Sequence, residues 1–423
     1  MPFDTTAFGL TDVGRRRKSN EDSFLIDPSL HLYVVADGMG GHEAGEVASA
    51  RAVEAFRKHV GDNRATLDRL VDDASPENRL AAQILVDRAV QAASADVFGF
   101  AEKNPKLKGM GTTFVGLVVA GACAILGHVG DSRIYLVRKG GVHRLTEDHT
   151  FVASQLRMGQ ITPEEAAVSP YKSVLLRGVG TQPTVEVDTL VVELTEGDVF
   201  LLCSDGLHGY LPDEEILPLV GETKPRELPA RLIALANARG GKDNITAVVV
   251  GCAGDALSED TVDGGAKMDL LEQLPLFHHF TYKERAAMLG VAHDRTFEQG
   301  ETIVAEGSTG EELFVVVRGR VVVEKGGVEI AALGAGGHFG EMGLVESQPR
   351  SATVRALEPT RVLGFAQADV MNLMRREQGI AVKLLWSLVQ VLSQRLRTAN
   401  AGLFEAKLEL ADHARPTFRR FGS

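Results

Sequence analysis

The sequence is short of several things, and each shortage removes a class of protein. It holds three cysteines in 423 residues, Cys123, Cys203 and Cys252, each in or beside an apolar run and none in a CxxC pair. That is too few for a disulfide framework, and it points to buried free thiols in a reducing, cytoplasmic setting. Long hydrophobic runs are missing. The longest, Thr113 to Leu126, is broken by Gly116 and Gly121 and is too short to cross a bilayer, so it reads as a hairpin of two buried strands with no membrane partner. Met1 to Gly14 has no apolar h-region of the kind a secretory signal needs. Positive charge is scarce, with 45 Lys and Arg against 57 Asp and Glu, for a net charge of −12. An acidic chain without a basic patch is not expected to bind nucleic acid. No internal repeat or low-complexity tract stands out.

What is present is a globular composition, 44% hydrophobic and 24% charged, in a chain long enough for two domains. Residues 1–254 read as mixed α and β. Residues 255–267, rich in Gly, Ser and Asp, read as a linker. A second unit spans 268–411, and 412–423 read as a tail. The first unit is organised around Leu32 to Ala36, an apolar run that ends in Asp37 and then in glycines. A buried strand would deliver that carboxylate to its end, and Gly38 and Gly40 would let the backbone turn beside it. Val199 to Cys203 leads into Ser204-Asp205-Gly206 by the same design. Asn20-Glu21-Asp22 precedes the apolar Phe24 to Ile26, Gly130-Asp131-Ser132-Arg133 sits at another strand junction, and Asp243-Asn244 precedes the strand Ala247 to Val250. Helices are expected over Ala44 to Val60, Leu80 to Lys103 and Arg226 to Arg239. Any one Asp-Gly is ordinary turn chemistry. If several such ends meet, however, their carboxylates repel unless cations lie among them, and oxygen-only ligands favour magnesium or manganese.

The order and spacing of these five motifs resemble the metal-dependent protein serine/threonine phosphatases, the type 2C or PPM family in its bacterial form, over about residues 8–251. The resemblance implies an α+β fold, an α-β-β-α sandwich of two antiparallel sheets flanked by helices, with a cleft for two Mn2+ or Mg2+ ions. It implies that Asp37 bridges both ions and that the Gly38 carbonyl and Glu21 serve one of them. Asp205 and Asp243 would hold the other, Asp22 would orient water or a ligand, and Arg17 would grip the substrate phosphate. Asp37 and Asp205 thus join Arg17 as the catalytic set. The reaction implied is attack of metal-activated water on a phosphoserine or phosphothreonine monoester, with no Cys or Ser nucleophile. The implied partners are phosphorylated proteins and a cognate Ser/Thr kinase system. A third ion would use Asp131 with Asp205, although Gly209 stands where many members carry a further Asp. Met39 replaces the histidine of the animal branch, and His42 is a weak candidate in its place. Asp148 to Gly180 matches the flap that shapes substrate access.

In the second unit, short strands spaced by glycines from Thr296 to Phe365 predict a small antiparallel β-roll, and an apolar stripe through Leu385, Leu388, Leu392, Ala399 and Leu403 predicts a long helix. The run Phe339-Gly340-Glu341-Met342-Gly343, then Pro349-Arg350-Ser351-Ala352-Thr353-Val354, resembles the phosphate-binding cassette of cyclic-nucleotide-binding domains. The resemblance assigns cAMP or cGMP to Gly340, Glu341, Met342, Arg350, Ser351 and Ala352. Glu341 would take the ribose hydroxyl and Arg350 the cyclic phosphate. Thr398 and Asn400 are candidates for reading the base. The whole reads as a phosphatase regulated by a cyclic nucleotide, with a homodimer through the long helix as one use of its stripe. The alternative is an inactive phosphoprotein-binding adaptor gated by nucleotide.

Overall fold

A computed structural model describes residues 3–40, 43–254, 264–345 and 348–413. The chain divides into two compact units, residues 1–269 with 282–293, and residues 270–281 with 294–423. The first unit is a sandwich of two sheets. One runs Asp22–Asp27, Leu32–Met39, Phe114–Ala120, Cys123–Val129 and Asp188–Glu193, with Gly111–Thr112 paired on the side. The other runs Asp4–Asp12, Ile245–Ala253, Val199–Cys203, Arg133–Arg138 and Gly141–Arg144. Neighbouring strands are antiparallel throughout.

The strand Leu32–Met39 is central because Leu32 to Ala36 are all fully buried, so both of its faces need a cover. The helices Glu43–Asp62 and Pro76–Lys103 supply one cover, through Ala48, Ala52, Phe56, Val86, Ala89, Val90 and Val97. Leu228, Leu232, Ile233 and Ala236 of the helix Leu228–Ala238 cover the other sheet. The predicted hairpin forms as Phe114–Ala120 and Cys123–Val129. Gly121 makes its turn at φ +60°, where a Cβ would also press on Val71. All three cysteines are buried free thiols, and burial pushes Cys123 up to about 11 and Cys203 up to about 12.

The second unit is a β-roll of two four-stranded sheets, Ala292–Phe297, Thr360–Ala366, Glu312–Arg318, His338–Phe339 and Thr302–Val304, Thr353–Ala356, Val321–Lys325, Val328–Leu333. The helix Gln378–His413 follows, and Ile380, Leu384 and Leu388 are buried on its inner face.

Three expectations need correction. Residues 264–267 are not linker but the start of the helix Gly264–Gln273, whose Lys267 Nζ lies 2.9 Å from Glu193 of the first unit; residues 255–263 lie outside the described residues. The units therefore do not divide at 254 and 268. Lys267 and the segment 282–293 find their partners on the sandwich, and an amphipathic helix read from sequence does not say which core it joins. The stripe on the long helix splits. Leu388 faces inward, while Leu385, Leu392 and Leu403 are exposed together with Val382, Trp386, Val389 and Leu396. Asp412 and His413 of the expected tail belong to this helix. Residues 414–423, and His42, lie outside the described residues.

Candidate active site

The two sheets bring the predicted acids together. Antiparallel pairing sets Asp22 directly opposite Asp37, with Glu21 just before the strand. Gly38 N donates to the Glu21 carbonyl at 3.1 Å, and a Cβ on Gly38 would come within 2.0 Å of the Gly45 carbonyl, so the helix Glu43–Asp62 can close on this corner only over a glycine. Asp205 arrives from the other sheet. A Cβ on Gly206 would lie 1.9 Å from the Asn244 carbonyl, which fixes how near the Asp205 and Asp243 turns come.

Asn244 is the staple of the site. Its Oδ1 accepts from Glu21 N at 2.8 Å, and its Nδ2 donates to the carbonyls of Val13 and Ser19 at 3.0 and 2.9 Å. Ser204 and Thr246 hydroxyls donate to Asp22 Oδ2 at 2.7 and 2.6 Å, while Asp22 Oδ1 is buried without a partner.

The electrostatics are those of a cluster with too little positive charge. Burial and the charges of Asp22, Asp205, Asp131 and Asp243 raise Asp37 well above the usual carboxylate range. Burial, then Asp205 and Asp243, brings Asp22 up to about 7 against the two hydroxyl bonds, and burial with Asp205 and Asp148 brings Asp131 up to about 7. Burial, then the charge of Asp243, raises Asp205 as well. Asp205 Oδ1 is buried and unpartnered. The carboxylates repel one another and the donor set is all oxygen, so the residues present fit hard divalent ions.

Arg17 is the cation at the rim. Its Nη2 donates to Asp243 Oδ2 at 2.8 Å, a bond that raises its pKa further, and Asp37 and Glu21 add to that effect. His208 donates from Nε2 to the Asp131 carbonyl at 2.9 Å and is held neutral by burial, down to about 3. Neither Asn244 nor His208 was singled out as a site residue from sequence, although Asn244 stands beside Asp243 in the quoted motif. His208 gives no local signal, because its partner is 77 residues away.

The second cassette is also assembled. Gly340 takes φ +80° and opens a short turn, Glu341–Leu344. Arg350 lies in a cradle of three glycines: Cβ atoms on Gly310, Gly340 and Gly343 would each come within 3.2 Å of its guanidinium. It donates to the carbonyls of Glu312 at 2.8 Å and Gly340 at 3.3 Å. Gly343 stands where an alanine is common in the cassette, and here there is no room for a side chain. A Cβ would lie 2.8 Å from the Gly310 carbonyl. Glu341 is 3% exposed; its Oε1 pairs with Arg395 of the long helix, and its Oε2 is buried without a partner. Arg395 was missed because it lies 54 residues from Glu341 in sequence. Met342 and Ser351 are exposed and Ala352 is half-buried. The Thr398 hydroxyl is tied to the Gln394 carbonyl at 3.2 Å.

Two protein families match the chain, one over each part. The family described as Protein phosphatase 2C matches residues 14–245, and that described as Cyclic nucleotide-binding domain matches residues 294–377. The chain is 38% identical over 249 residues to the serine/threonine phosphatase stp of Listeria monocytogenes, covering 57% of this chain and 93% of that one. The crystal structure of the Mycobacterium tuberculosis serine/threonine phosphatase PstP/Ppp superposes with a TM-score of 0.52 at 38% identity, over 59% of this chain and 99% of that one. The catalytic domain of PstP in complex with two manganese ions superposes with a TM-score of 0.50 at 37% identity, over 60% of this chain and all of that one.

Proposed function

Since the chain belongs to the protein phosphatase 2C family and is a metal-dependent serine/threonine phosphatase, we propose that its acid cluster works on phosphoserine and phosphothreonine in proteins, and that a cyclic nucleotide on the second unit regulates it. The observation that carries the first half is the cluster of Asp22, Asp37, Asp131 and Asp205, one buried and three half-buried, whose members repel one another. Asp37, Glu21, the Gly38 carbonyl, Asp205 and Asp243 would hold two Mn2+ or Mg2+ ions, and Asp131 a third. When bound, such ions acidify a water and neutralise charge that develops in an in-line displacement.

The chain's own groups do the rest. Arg17 presents a planar fork at the mouth, suited to phosphate oxygens once it turns from Asp243. Asp22, fixed by Ser204 and Thr246, turns its free oxygen inward to orient water or a ligand. The flap carries exposed Met158, Val168, Tyr171 and Leu176, apolar surface that a protein substrate can cover and a small phosphoester cannot.

In the second unit, Glu341 Oε2 is a buried acceptor suited to a ribose hydroxyl, and Arg350 a half-buried cation suited to the single charge of cAMP or cGMP. Gly340, Met342, Ser351 and Ala352 complete the phosphate turn. A Ser/Thr kinase would supply the substrates, in the cytoplasm. No helix among the described residues is long and apolar enough to cross a membrane. Val382, Val389, Leu396 and Leu403, seven residues apart, with Leu385 and Leu392 between them, are exposed in the spacing of a two-stranded coiled coil, and we assign that face to a second copy of this chain.

Turnover of a phosphothreonine peptide in Mn2+, set against EDTA and against nucleotide substrates, tests the catalytic half. Hydrolysis that EDTA abolishes and that prefers the peptide is expected. A folded, Mn2+-loaded chain that binds the peptide without turnover would make it an adaptor.

A further inference from the structure

A second buried polar group lies behind the Asp131 strand end. His149 clamps the Gly130 peptide from both sides: its N donates to the Gly130 carbonyl at 2.8 Å, and Gly130 N donates to its Nδ1 at 3.1 Å. Nδ1 is therefore an acceptor and the ring proton is on Nε2, which lies 3.4 Å from Asp188 Oδ1 and 3.1 Å from Arg177 Nη1, so that ring and guanidinium share the Asp188 carboxylate. Asp188 also takes Arg177 Nη1 at 2.9 Å and Lys283 Nζ at 3.4 Å, and Lys283 lies 3.6 Å from Glu147. His128 stacks on His149, with ring centroids 4.5 Å apart.

His128, His149 and Asp188 lie close enough to share a metal ion, with ligand atoms within 4.8 Å. The Gly130 bond argues otherwise. A metal on Nε2 would leave His149 with no ring proton at all, and two cations already sit on Asp188. The group is a hydrogen-bond relay.

Its outer end is unexpected. Lys283 belongs to the helix Tyr282–Gly290, beyond residues 14–245 that match the phosphatase family. Its side chain is only 12% exposed. The same helix is anchored independently of the relay: the Tyr282 hydroxyl takes Arg138 Nη1 at 2.7 Å, its ring stacks on His143 at 3.8 Å, and the Leu289 carbonyl takes Arg79 at 3.1 Å.

We propose that this helix is part of the catalytic unit, and that Lys283 is a positioning residue for the Asp131 corner of the metal cluster, acting through Asp188 and His149. Lys283 fixes the Asp188 carboxylate, Asp188 orients the His149 ring, and the ring holds the Gly130 peptide from which Asp131 projects. The helix ends at Gly290, and the chain enters the second unit's main segment at residue 294, within the strand Ala292–Phe297. The chain therefore ties the nucleotide unit directly to a residue that props the metal site.

The test uses the full chain, with Mn2+ affinity from titration calorimetry as the readout beside kcat and Tm. Lys283→Ala is expected to weaken the weakest Mn2+ step about tenfold, as loss of a residue that orients ligands does, and to lower kcat. Lys283→Arg is expected to restore both. Tyr282→Phe, which removes the hydroxyl bond to Arg138, one of the helix's other anchors, is expected to lower Tm and leave Mn2+ affinity alone. Lys283→Ala with unaltered Mn2+ affinity and kcat would overturn the proposal, and so would Tyr282→Phe acting like Lys283→Ala. No Mn2+ binding by the unaltered chain would overturn instead the phosphatase site on which the proposal rests.

Discussion

The first unit gathers Asp22, Asp37, Asp131 and Asp205 in a largely shielded corner with Arg17 at its rim and Arg133 acting on Asp131, and the carboxylates still raise one another above their usual range. The second unit sets a buried Glu341 and a half-buried Arg350 side by side and answers both from within: Arg350 by carbonyls in a glycine cradle, Glu341 by Arg395. A site of the first kind is strained until a cation arrives, and binding relieves it. A site of the second kind is quiet without its ligand, and a nucleotide must compete for groups already in use. Competition of that sort gives a ligand differential affinity for two arrangements, which any regulation requires.

The comparison can be broken most decisively at Asp37. Asp37→Asn is expected to cut kcat/KM about a thousandfold, roughly 4 kcal/mol of transition-state stabilisation. In EDTA the same variant is expected to melt higher than the unaltered chain, because it removes a repelled charge. A variant that melts lower in EDTA would show that the cluster is not frustrated.

The next effect lies in the second unit. Glu341→Gln is expected to weaken cAMP or cGMP binding by about 10- to 100-fold, the worth of one charge-assisted hydrogen bond. Calorimetry with each nucleotide measures it, and unchanged affinity would remove Glu341 from the site.

Acid sharpens the contrast at a histidine. Burial lowers His128 to about 3, and both its ring nitrogens lack a partner. The folded state therefore resists a proton that the unfolded chain takes near pH 6.5. His128's share of stability is intact above that pH and is lost as pH falls toward about 3, amounting to about 2 kcal/mol at pH 5. His128→Leu is expected to flatten the dependence of urea unfolding between pH 7 and 5, and an equally steep dependence would place the acid sensitivity elsewhere.

The smallest effect is at Gly343. An alanine there must push aside the Gly310 carbonyl or Arg350, costing about 1 kcal/mol or more. Trp386, the single tryptophan, lies in the second unit and reports its unfolding by fluorescence. An unshifted Trp386 transition would mean the cradle has slack.

Much of this was legible in the sequence because the signals are local. A run such as Leu32 to Ala36 followed by Asp37-Gly38 announces a buried strand and the acid at its end within a few residues, and Gly340-Glu341 with Arg350 does the same for an anion turn. The hairpin at Gly121 was equally local. What the sequence did not disclose depends on partners far along the chain. Arg395 looks like any basic residue on a helix until the fold sets it on Glu341. His149, Arg177 and Asp188 meet through the path of the flap, and Lys283 reads as an exposed lysine on a helix of the second unit. The tightness around Gly343 is likewise invisible locally, because the neighbour that fills its space, Gly310, comes from another turn.

The most direct test of the account is the rate of phosphothreonine-peptide hydrolysis by the full chain in saturating Mn2+ as cAMP or cGMP is added, run beside Arg350→Gln. The account expects one nucleotide to change kcat or KM in the unaltered chain, in either direction, and expects that response to be lost in Arg350→Gln. A rate indifferent to both nucleotides, with binding demonstrated by calorimetry, would contradict it.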